Sequence, residues 1–508
     1  MNLRAVLWLL GRVILFLAAF QLVPAAVAYG YGERGDAFAF LAGAVIAGLV
    51  GVVLGWRPRE GTIVIDDRPT FFRREGLAVV GLSWLVSAVL GAVPFVLTGA
   101  IASPVDAFFE SASGFTTTGA TILEAEEIDG LSRSVAFWRS FTQWLGGIGI
   151  VLVFVVFFPT GGRSLFRSEV PGVSREASHH RVRDSAIGLA RVYVAMTVLL
   201  ILGLRIAGMG VYDAVLHALT TIPTGGFSNH GESIAFFGSW VIEALLILFM
   251  FLAGINFAIY DAWIRRGWRS VWSAFTQSTE IRVYAGTLLG AAIVITSVLW
   301  FWGGSNGYLS DDPALVALPD YSRLLLCLRD SVFSVVSIQT STGFGTADFD
   351  RWPDFCRALL MVLAMMGACA GSTGGGIKVV RLIIVAKAAL RGVQAFARPR
   401  ALHSVRVDGQ TLDEGTVAAV TGYFALWFLI FGASTVTMAF FELDLVTAAT
   451  AVLATLNNIG PGLAEVGPTL NFGEIPAFGK LLLSMLMVLG RLEFYALVVL
   501  LLPRFWRV

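Results

Sequence analysis

DAFFESASGFTTTG, residues Asp106–Gly119, is the stretch that decides the fold, because three further segments of the same outline follow it. They are Asp213–Gly226 (DAVLHALTTIPTGG), Asp330–Gly343 (DSVFSVVSIQTSTG) and Thr447–Gly460 (TAATAVLATLNNIG). In each, an Asp or Thr lies 13 positions before the final Gly, and the glycines are 107, 117 and 117 residues apart (119 to 226, 226 to 343, 343 to 460). We call these repeat segments 1 to 4, and their period indicates one structural unit repeated along the chain.

Long apolar runs flank every repeat segment. The chain has 508 residues, of which 56% are hydrophobic and 14% charged, with a mean hydropathy of +0.77, whereas about a quarter of a soluble domain is charged. Apolar runs suited to membrane helices recur along the chain, among them Ala136–Phe158, Val283–Trp302 and Leu481–Leu502. The sequence therefore predicts an all-α polytopic membrane protein.

The repeat divides the predicted protein into an N-terminal hairpin and four helix–pore loop–helix units around a central pore. Residues 1–56 are predicted to form the hairpin and not a cleaved signal, because a second apolar stretch, Ala37–Leu54, follows the first. The predicted pore units are residues 75–160, 186–263, 282–390, with a broken second helix, and 414–503.

Each repeat segment predicts a short helix that enters the membrane and returns. Asp and Thr are good N-caps, and about ten helical residues span about 15 Å, roughly half of the hydrocarbon thickness. The non-helical return is tolerated only where it lines an aqueous path or is buried in protein. An ordinary surface loop is the alternative for one segment, but four in register favour the re-entrant structure.

The glycine ends of the segments predict a cation filter. Selectivity without a metal cofactor can come from rings of backbone carbonyls, in a conformation that glycine permits. Small polar side chains can add hydroxyl or amide contacts, and helix C-termini favour a cation. The candidate filter residues are Thr116, Thr117, Thr118 and Gly119; Pro223, Thr224, Gly225 and Gly226; Thr340, Ser341, Thr342 and Gly343; and Asn457, Asn458, Ile459 and Gly460.

Basic residues concentrate in the loops between the predicted units, which the positive-inside rule places in the cytoplasm together with both termini. The repeat segments then open to the outside, where acidic residues cluster and would attract cations. The basic residues include Arg57, Arg59, Arg68, Arg163, Arg167, Arg175, Lys387, Arg391 and Arg507, and the acidic ones include Glu124, Asp311, Asp312, Asp348, Asp350 and Asp354.

Four motifs carry a resemblance to a known family. They are TTTGAT at Thr116–Thr121, GSTGGGIKVVR at Gly371–Arg381, NNIGPG at Asn457–Gly462 and GRLE at Gly490–Glu493. With the repeat segments, they make the chain resemble the Trk/Ktr/HKT superfamily of potassium transporters over essentially its whole length. The extra N-terminal hairpin resembles the TrkH branch, a pore-forming subunit, and not the shorter KtrB branch.

The resemblance implies potassium uptake through a channel-like pore, with K⁺ as the transported ion and no other cofactor. It places one filter glycine in each repeat, at Gly119, Gly226, Gly343 and Gly460, although Gly225 leaves the second assignment open by one residue. It also implies a homodimer in the lipid of a bacterial inner membrane. The expected partner is a cytoplasmic, nucleotide-binding, TrkA-like regulatory ring docked on the basic loops, and no nucleic acid is expected.

A run of glycines interrupts the second helix of the third unit at Ala370–Gly376 (AGSTGGG). Loose backbone at this depth needs to line a water-filled path. The phosphate-loop pattern fails, because Lys378 follows Ile377 and precedes Val379. The resemblance implies an intramembrane gate, and a simple kink is the alternative. The candidate gate residues are Gly371, Ser372, Thr373, Gly374, Gly375, Gly376 and Lys378, with Arg491 beside them.

Arg491 and Glu493 lie in the predicted last membrane helix, where ionisable side chains are costly and usually functional. The resemblance places Arg491 at the pore constriction, and the alternative is an arginine paired at a helix interface. Its partner would not be Glu493, because residues two apart do not face each other on a helix. Arg139 and Asp261 are weaker cases that suit interfacial anchors.

Two other functions stay open. Proton- or sodium-coupled potassium symport would need an intramembrane proton acceptor such as Glu493. A membrane-embedded transferase would need paired carboxylates, for which Asp348, Asp350 and Asp354 are the candidates. Three scattered cysteines do not indicate a disulfide framework or a zinc site, and the chain is predicted not to be an enzyme.

Overall fold

The computed structural model describes residues 2–56, 71–157, 179–304, 321, 323–401, 403–492 and 494–506. Within these ranges the protein is helical, apart from an isolated bridge and one antiparallel pair of two-residue strands, Arg406–Val407 and Gln410–Thr411. The expectation of an all-helical protein is thus confirmed.

Two long helices, α1 (Leu3–Tyr31) and α2 (Arg34–Gly55), occupy the predicted hairpin range. They pack closely, since a Cβ on Gly11 would lie within 3.0 Å of the backbone of α2. The turn between them contacts the rest of the protein through Glu33, whose carboxylate accepts hydrogen bonds from the N–H groups of Arg133 (2.9 Å) and Ser134 (3.0 Å).

The remaining helices follow one recurring order, in which a long helix precedes a short one and a second helix comes after. In chain order they are α3 (Phe71–Leu97), α4 (Pro104–Phe115), α5 (Ala125–Asp129), α6 (Arg133–Phe157), α7 (His179–Ile206), α8 (Val211–Thr221), α9 (Trp240–Ala253), α10 (Phe257–Arg266), α11 (Trp268–Gln277), α12 (Thr279–Gly304), α13 (Leu324–Gln339), α14 (Asp354–Met365), α15 (Val379–Ala397), α16 (Glu414–Ala439), α17 (Leu445–Leu456), α18 (Ala477–Arg491), α19 (Tyr495–Val498) and α20 (Pro503–Trp506).

Six of the described helices are long and apolar enough to cross a membrane, and a seventh span results if the bent pair α9–α10 counts as one. The six are α1 and α2 together with α3, α7, α12 and α16, the long helices that precede each short helix. This makes the chain a multi-pass membrane protein.

The second helices are more interrupted than the sequence predicted. Helices α14 and α15 are separated by residues 366–378, around the predicted break. Helices α9 and α10 meet at 88°, a break that was not predicted. The single last helix predicted over Leu481–Leu502 is wrong, because α18 ends at Arg491 and Phe494 has a left-handed backbone (φ 64°) that a continuous helix cannot contain.

The short helices are α4, α8, α13 and α17, and the N-caps predicted for them are wrong. Ser103 caps α4, where Pro104 suits the first helical position because its φ is already helical. Asp444 caps α17 by accepting hydrogen bonds from the second and third N–H groups, while the Thr447 hydroxyl donates to that carboxylate. Asp106 and Asp213 lie instead in the first helical turn, and Asp330 lies inside α13.

The short helices lie in the centre of the protein, and ion pairs connect the elements around them. Lys480 of α18 reaches back to Asp106 of α4 with an Nζ to Oδ1 distance of 2.6 Å. Arg329 of α13 donates from Nε to Glu243 of α9 at 2.6 Å. These contacts join the end of the chain to its beginning and its second repeat to its third.

Candidate ion-selective site

Each short helix ends in the same backbone conformation. Two residues per repeat have positive φ, a non-glycine residue and then, two positions later, a glycine. The pairs are Thr117 (53°) and Gly119 (83°), Thr224 (56°) and Gly226 (80°), Ser341 (57°) and Gly343 (82°), and Asn458 (54°) and Gly460 (100°). The left-handed region is unfavourable for ordinary residues. Its occurrence at the same position in all four repeat segments therefore shows that the four share one backbone structure.

The left-handed non-glycine residue closes each helix with a Schellman motif. In repeat segment 1 the Thr118 N–H donates to the Ser113 carbonyl, and the Thr117 N–H donates to the Gly114 carbonyl, both at 2.9 Å. The same two bonds recur in repeat segments 2, 3 and 4 at 2.8–3.3 Å. The backbone N–H groups therefore turn back to the helix, while the chain after them runs on in a non-helical form.

The four glycines form a closed ring. A Cβ on Gly119 would lie within 3.0 Å of the Gly225 carbonyl oxygen, and one on Gly226 would meet the Thr342 oxygen in the same way. Gly343 faces the Ile459 oxygen, and Gly460 faces the Thr118 oxygen. Each glycine thus lies against the carbonyl that precedes the next glycine, and the cycle closes from repeat segment 4 to repeat segment 1.

The second repeat aligns on Gly226. Its φ of 80° matches those of Gly119 and Gly343, whereas Gly225 lies outside the left-handed region. In backbone conformation, Gly226 and not Gly225 is therefore the counterpart of Gly119 and Gly343.

The repeat segments differ in the hydrogen bonds that their side chains make. Thr116 and Thr118 share a hydroxyl hydrogen bond of 2.7 Å, and Thr340 and Thr342 share an equivalent one of 2.7 Å. That small polar side chains add ion contacts stays a prediction, and repeat segment 4 has no threonine pair at these positions.

The two asparagines of repeat segment 4 instead form hydrogen bonds with neighbouring helices and with repeat segment 1. Asn457 donates to the Ala364 carbonyl (2.8 Å) and accepts from the Trp427 indole (3.1 Å). Asn458 donates to the Thr118 hydroxyl (2.9 Å) and to the Met487 carbonyl (2.8 Å).

The loop predicted as a gate packs against the residues that precede the ring glycines. The Gly375 N–H donates to the Ser341 hydroxyl oxygen at 2.7 Å, and the Thr373 hydroxyl donates to the Ile222 carbonyl at 2.8 Å. A Cβ on Gly375 would lie 2.6 Å from the Asn457 carbonyl oxygen. The loop therefore contacts repeat segments 2, 3 and 4 at one end of the ring.

Two cationic residues hold this loop. Arg491, which is 4% exposed, donates from Nη1 to the Thr373 carbonyl at 2.7 Å. Its Nε and Nη2 have no hydrogen-bond partner among the described residues. Lys378 is buried and donates from Nζ to the Gly374 carbonyl. Ser372 closes a local turn by donating to the Cys369 carbonyl at 2.6 Å, and Gly371 and Gly376 have left-handed φ values of 72° and 71°.

Glu280, in the first turn of α12, is a residue that the sequence analysis missed. Its buried Oε1 accepts hydrogen bonds from the Ala370 N–H at 2.7 Å and the Val380 N–H at 3.3 Å, on either side of the gate loop. A carboxylate near the end of an apolar span was the available signal, since such residues are seldom incidental.

The prediction that Arg139 is an interfacial anchor is wrong. It is 2% exposed, and its Nε lies 2.8 Å from Oε1 of Glu110, which is fully buried. Its other nitrogens donate to the Thr121 hydroxyl (3.2 Å) and the Ser228 carbonyl (3.1 Å). The pair therefore ties together the chain segments that follow the first two ring glycines. Asp261, the second proposed anchor, pairs with Arg265 one turn later at 2.9 Å.

A pocket lies at the other end of the ring, and its lining includes all four ring glycines. The rest of the lining comes largely from residues that follow the glycines, such as Phe227, Gly345 and Pro461. No carboxylate lines it among the described residues. The acidic mouth predicted from the sequence is therefore not a feature of this pocket.

The aspartates proposed for a transferase form ion pairs in the structure. Asp348, Asp350 and Asp354 each pair with an arginine, at 3.0, 2.9 and 3.0 Å. Arg351 and Arg357 therefore offset part of the negative charge of these three carboxylates. Glu493, the candidate proton acceptor for symport, lies outside the described residues, as do Asp311 and Asp312.

Apolar spanning helices around a ring of buried, glycine-ended short helices define a multi-pass membrane transport protein. The TrkH family, described as cation transport protein, matches residues 38–507, and the chain belongs to this family. The predicted superfamily resemblance is thereby confirmed, as is the prediction that the chain is not an enzyme.

Similar proteins match the chain from end to end. The chain is 34% identical to the Trk system potassium uptake protein TrkH of Escherichia coli (strain K12), and the match covers 100% of both chains. It is 36% identical to the protein of the same name from Halomonas elongata, again over 100% of both. A crystal structure of the potassium transporter TrkH from Vibrio parahaemolyticus superimposes with a TM-score of 0.86, at 30% identity and 100% coverage of both chains.

Proposed function

We propose that the chain is the pore-forming subunit of a potassium uptake system, with the four repeat segments as its selectivity filter. The observation that carries the proposal is the closed ring of glycines and neighbouring carbonyls at Gly119, Gly226, Gly343 and Gly460. A ring of backbone oxygens can replace the hydration shell of a cation without a metal cofactor. The names of full-length relatives support potassium as the ion.

The pathway follows from what lies on either side of the ring. Ions enter from the pocket lined by the four glycines, pass the repeat segments 116–119, 223–226, 340–343 and 457–460, and meet the loop Gly371–Gly376. The loop closes the path because it packs against three of the four segments. Arg491 adds a fixed positive charge at the same place, where it opposes a cation and holds the loop through the Thr373 carbonyl.

We propose the assembly and the membrane orientation of the protein from its family resemblance and from the distribution of its basic residues. The four predicted units surround one pore in each protomer, two protomers form a homodimer, and the protein lies in the inner membrane of a bacterium with both termini in the cytoplasm. A TrkA-like ring that binds nucleotide docks on the basic loops and moves the gate loop. The names of full-length relatives support membership of a Trk system.

Ion flux in liposomes containing the purified protein tests the proposal. We expect uptake of potassium and rubidium at similar rates, slower uptake of sodium, and no requirement for a pH gradient. Uptake that discriminates poorly between potassium and sodium would contradict the filter. Uptake that stops when the pH gradient is removed would favour the coupled symport instead.

A further inference from the structure

The carboxamide of Gln143, on α6, forms hydrogen bonds with the backbone on both sides of Gly226, the ring glycine of repeat segment 2. Its Nε2 donates to the Gly225 carbonyl at 2.7 Å, and its Oε1 accepts a hydrogen bond from the Phe227 N–H at 3.2 Å. The side chain is fully buried. Gln143 therefore fixes the backbone immediately before and after Gly226, and the carbonyl that it holds is the one facing Gly119.

Repeat segment 2 lacks the threonine pair of repeat segments 1 and 3, although the Thr224 hydroxyl donates to the carbonyl of the adjacent Pro223 at 2.6 Å. Repeat segments 1 and 3 each hold their strand with a threonine pair, at positions where repeat segment 2 has Pro223 and Gly225. Repeat segment 4 is held by the amides of Asn457 and Asn458. Polar side chains thus hold all four segments, but the second receives its support from a neighbouring helix.

Gln143 also explains why two glycines stand together in this repeat. Gly225 is outside the left-handed region, so its backbone does not require glycine. A Cβ there, however, would lie within 3.0 Å of the Oε1, Cδ and Nε2 atoms of Gln143. The carboxamide occupies the space that a side chain at position 225 would need.

Helix α6 is packed so tightly that Gln143 has little freedom to move. A Cβ on Gly146 would lie within 3.0 Å of the Phe115 carbonyl, and one on Gly147 would meet Pro223 at the start of the second filter strand. The Tyr193 hydroxyl donates to the Trp144 carbonyl at 3.0 Å, which fixes the same turn from α7. The position of the carboxamide is therefore set by backbone contacts on both sides.

We propose that Gln143 is a specificity-determining positioning residue, which holds the Gly225 carbonyl at the distance that suits a dehydrated potassium ion. A smaller ion such as sodium gains contact only if the carbonyls move inward, and the carboxamide opposes that movement in the one segment that has neither a threonine pair nor an asparagine amide. This inference rests on the proposed function, since it assumes that the ring is the filter.

The test compares Gln143→Leu, which removes both hydrogen bonds, with Gln143→Glu, which keeps an acceptor for Phe227 and loses the donor to Gly225. Gln21→Leu is the matched control, because Gln21 is also fully buried and donates to a carbonyl, that of Leu90, at 3.1 Å in the hairpin region. The readout is the ratio of potassium to sodium flux in liposomes, at equal amounts of folded protein.

We expect both Gln143 variants to lower this ratio by about three- to tenfold, the effect of one or two lost hydrogen bonds, while Gln21→Leu leaves it unchanged. An unchanged ratio in folded Gln143 variants would overturn the inference. If Gly343→Ser, in the neighbouring repeat segment 3, still lowers the ratio, the filter assignment survives that result. If neither change lowers it, the proposed function fails as well.

A double substitution keeps the inference testable if the single variants fold poorly. Gly225→Ala alone should be produced poorly because its Cβ clashes with the carboxamide, and adding Gln143→Ala should restore production by removing the clash. The restored protein should still discriminate weakly, because the support is gone. A double variant with the wild-type ratio of potassium to sodium flux would overturn the inference.

Discussion

Replacing Gly343 by Ser adds a Cβ at a position where the backbone and the surroundings both exclude one. The φ of 82° costs an ordinary residue about 1–2 kcal/mol. The new Cβ would also lie within 3.0 Å of the Ile459 carbonyl oxygen and 2.9 Å from Cδ of Pro461. Overpacking of this kind typically costs about 1–3 kcal/mol, so the strain placed on repeat segments 3 and 4 is about 2–5 kcal/mol.

That strain acts on the carbonyl that forms part of the ring, so we expect it to change ion preference. A shift of about 1.4 kcal/mol in the relative free energy of potassium and sodium in the filter changes their ratio tenfold. We therefore expect Gly343→Ser to lower the ratio of potassium to sodium flux by tenfold or more. Gly119→Ser should act in the same direction, since its φ is 83° and its Cβ would meet the Gly225 carbonyl.

Gly345→Ser is the matched control, two residues further along the same strand. Its φ is not left-handed, and its Cβ would meet nothing within 4 Å. Competitive flux of potassium and sodium in liposomes, with thermal stability measured on the same preparations, should show an unchanged ratio for this variant. A folded Gly343→Ser protein with the wild-type ratio would refute the reasoning, and so would an equal loss in both variants.

Four further predictions concern the gate loop and the buried charges. Deleting Gly371–Gly376 should raise basal flux, and a well-folded deletion protein that conducts less would show that the loop is only a kink. Glu280→Ala should also raise basal flux by releasing both ends of the loop, and Glu280→Gln, which keeps an acceptor oxygen, should restore the closed behaviour in the same liposome assay. Arg491→Gln should raise flux with little change in the ratio of potassium to sodium, whereas lower flux with a lower melting temperature would identify a structural arginine. Arg139→Met should lower the free energy of unfolding by about 3–5 kcal/mol, because it leaves Glu110 buried without its partner, and adding Glu110→Gln should recover part of that loss in thermal denaturation.

The sequence predicted the glycine spacing of repeat segments 1, 3 and 4, and left the second open between Gly225 and Gly226, because the need for a left-handed glycine is local. A left-handed residue two positions before a left-handed glycine repeats at the predicted spacing, from Thr117 and Gly119 to Asn458 and Gly460. The reason for these glycines is only partly local, however. The approach of Gly226 to the Thr342 carbonyl depends on how two distant segments meet, which a repeat alone does not show.

The breaks in the second helices show what a hydropathy pattern omits. The apolar run through α9 and α10 continues across the bend, although α9 ends at Ala253 and Asn256 caps α10 by accepting from the Ala258 N–H at 2.9 Å. Gly490 lies against the Leu456 carbonyl just before α18 ends. Each break therefore had a signal in the sequence. The first was a capping residue, the second was a glycine beside an arginine, and the apolar run concealed both.

The polar residues behind the ring were the least predictable part of the site. Gln143 and Glu280 lie in apolar helices, and neither belongs to a spaced motif. Their importance depends on which backbone groups face them, Gly225 in one case and Ala370 in the other. Only the three-dimensional arrangement pairs Gln143 with the glycine ring and Glu280 with the ends of the loop Gly371–Gly376.

In the proposed function, cations bind on the axis enclosed by the four repeat segments. Anomalous X-ray scattering from thallium ions, which replace potassium, would locate the bound cation in crystals of the protein. We expect scattering peaks inside the ring formed by Gly119, Gly226, Gly343 and Gly460, and their loss when sodium replaces thallium. Peaks confined to another part of the protein, in a preparation that transports potassium, would contradict it.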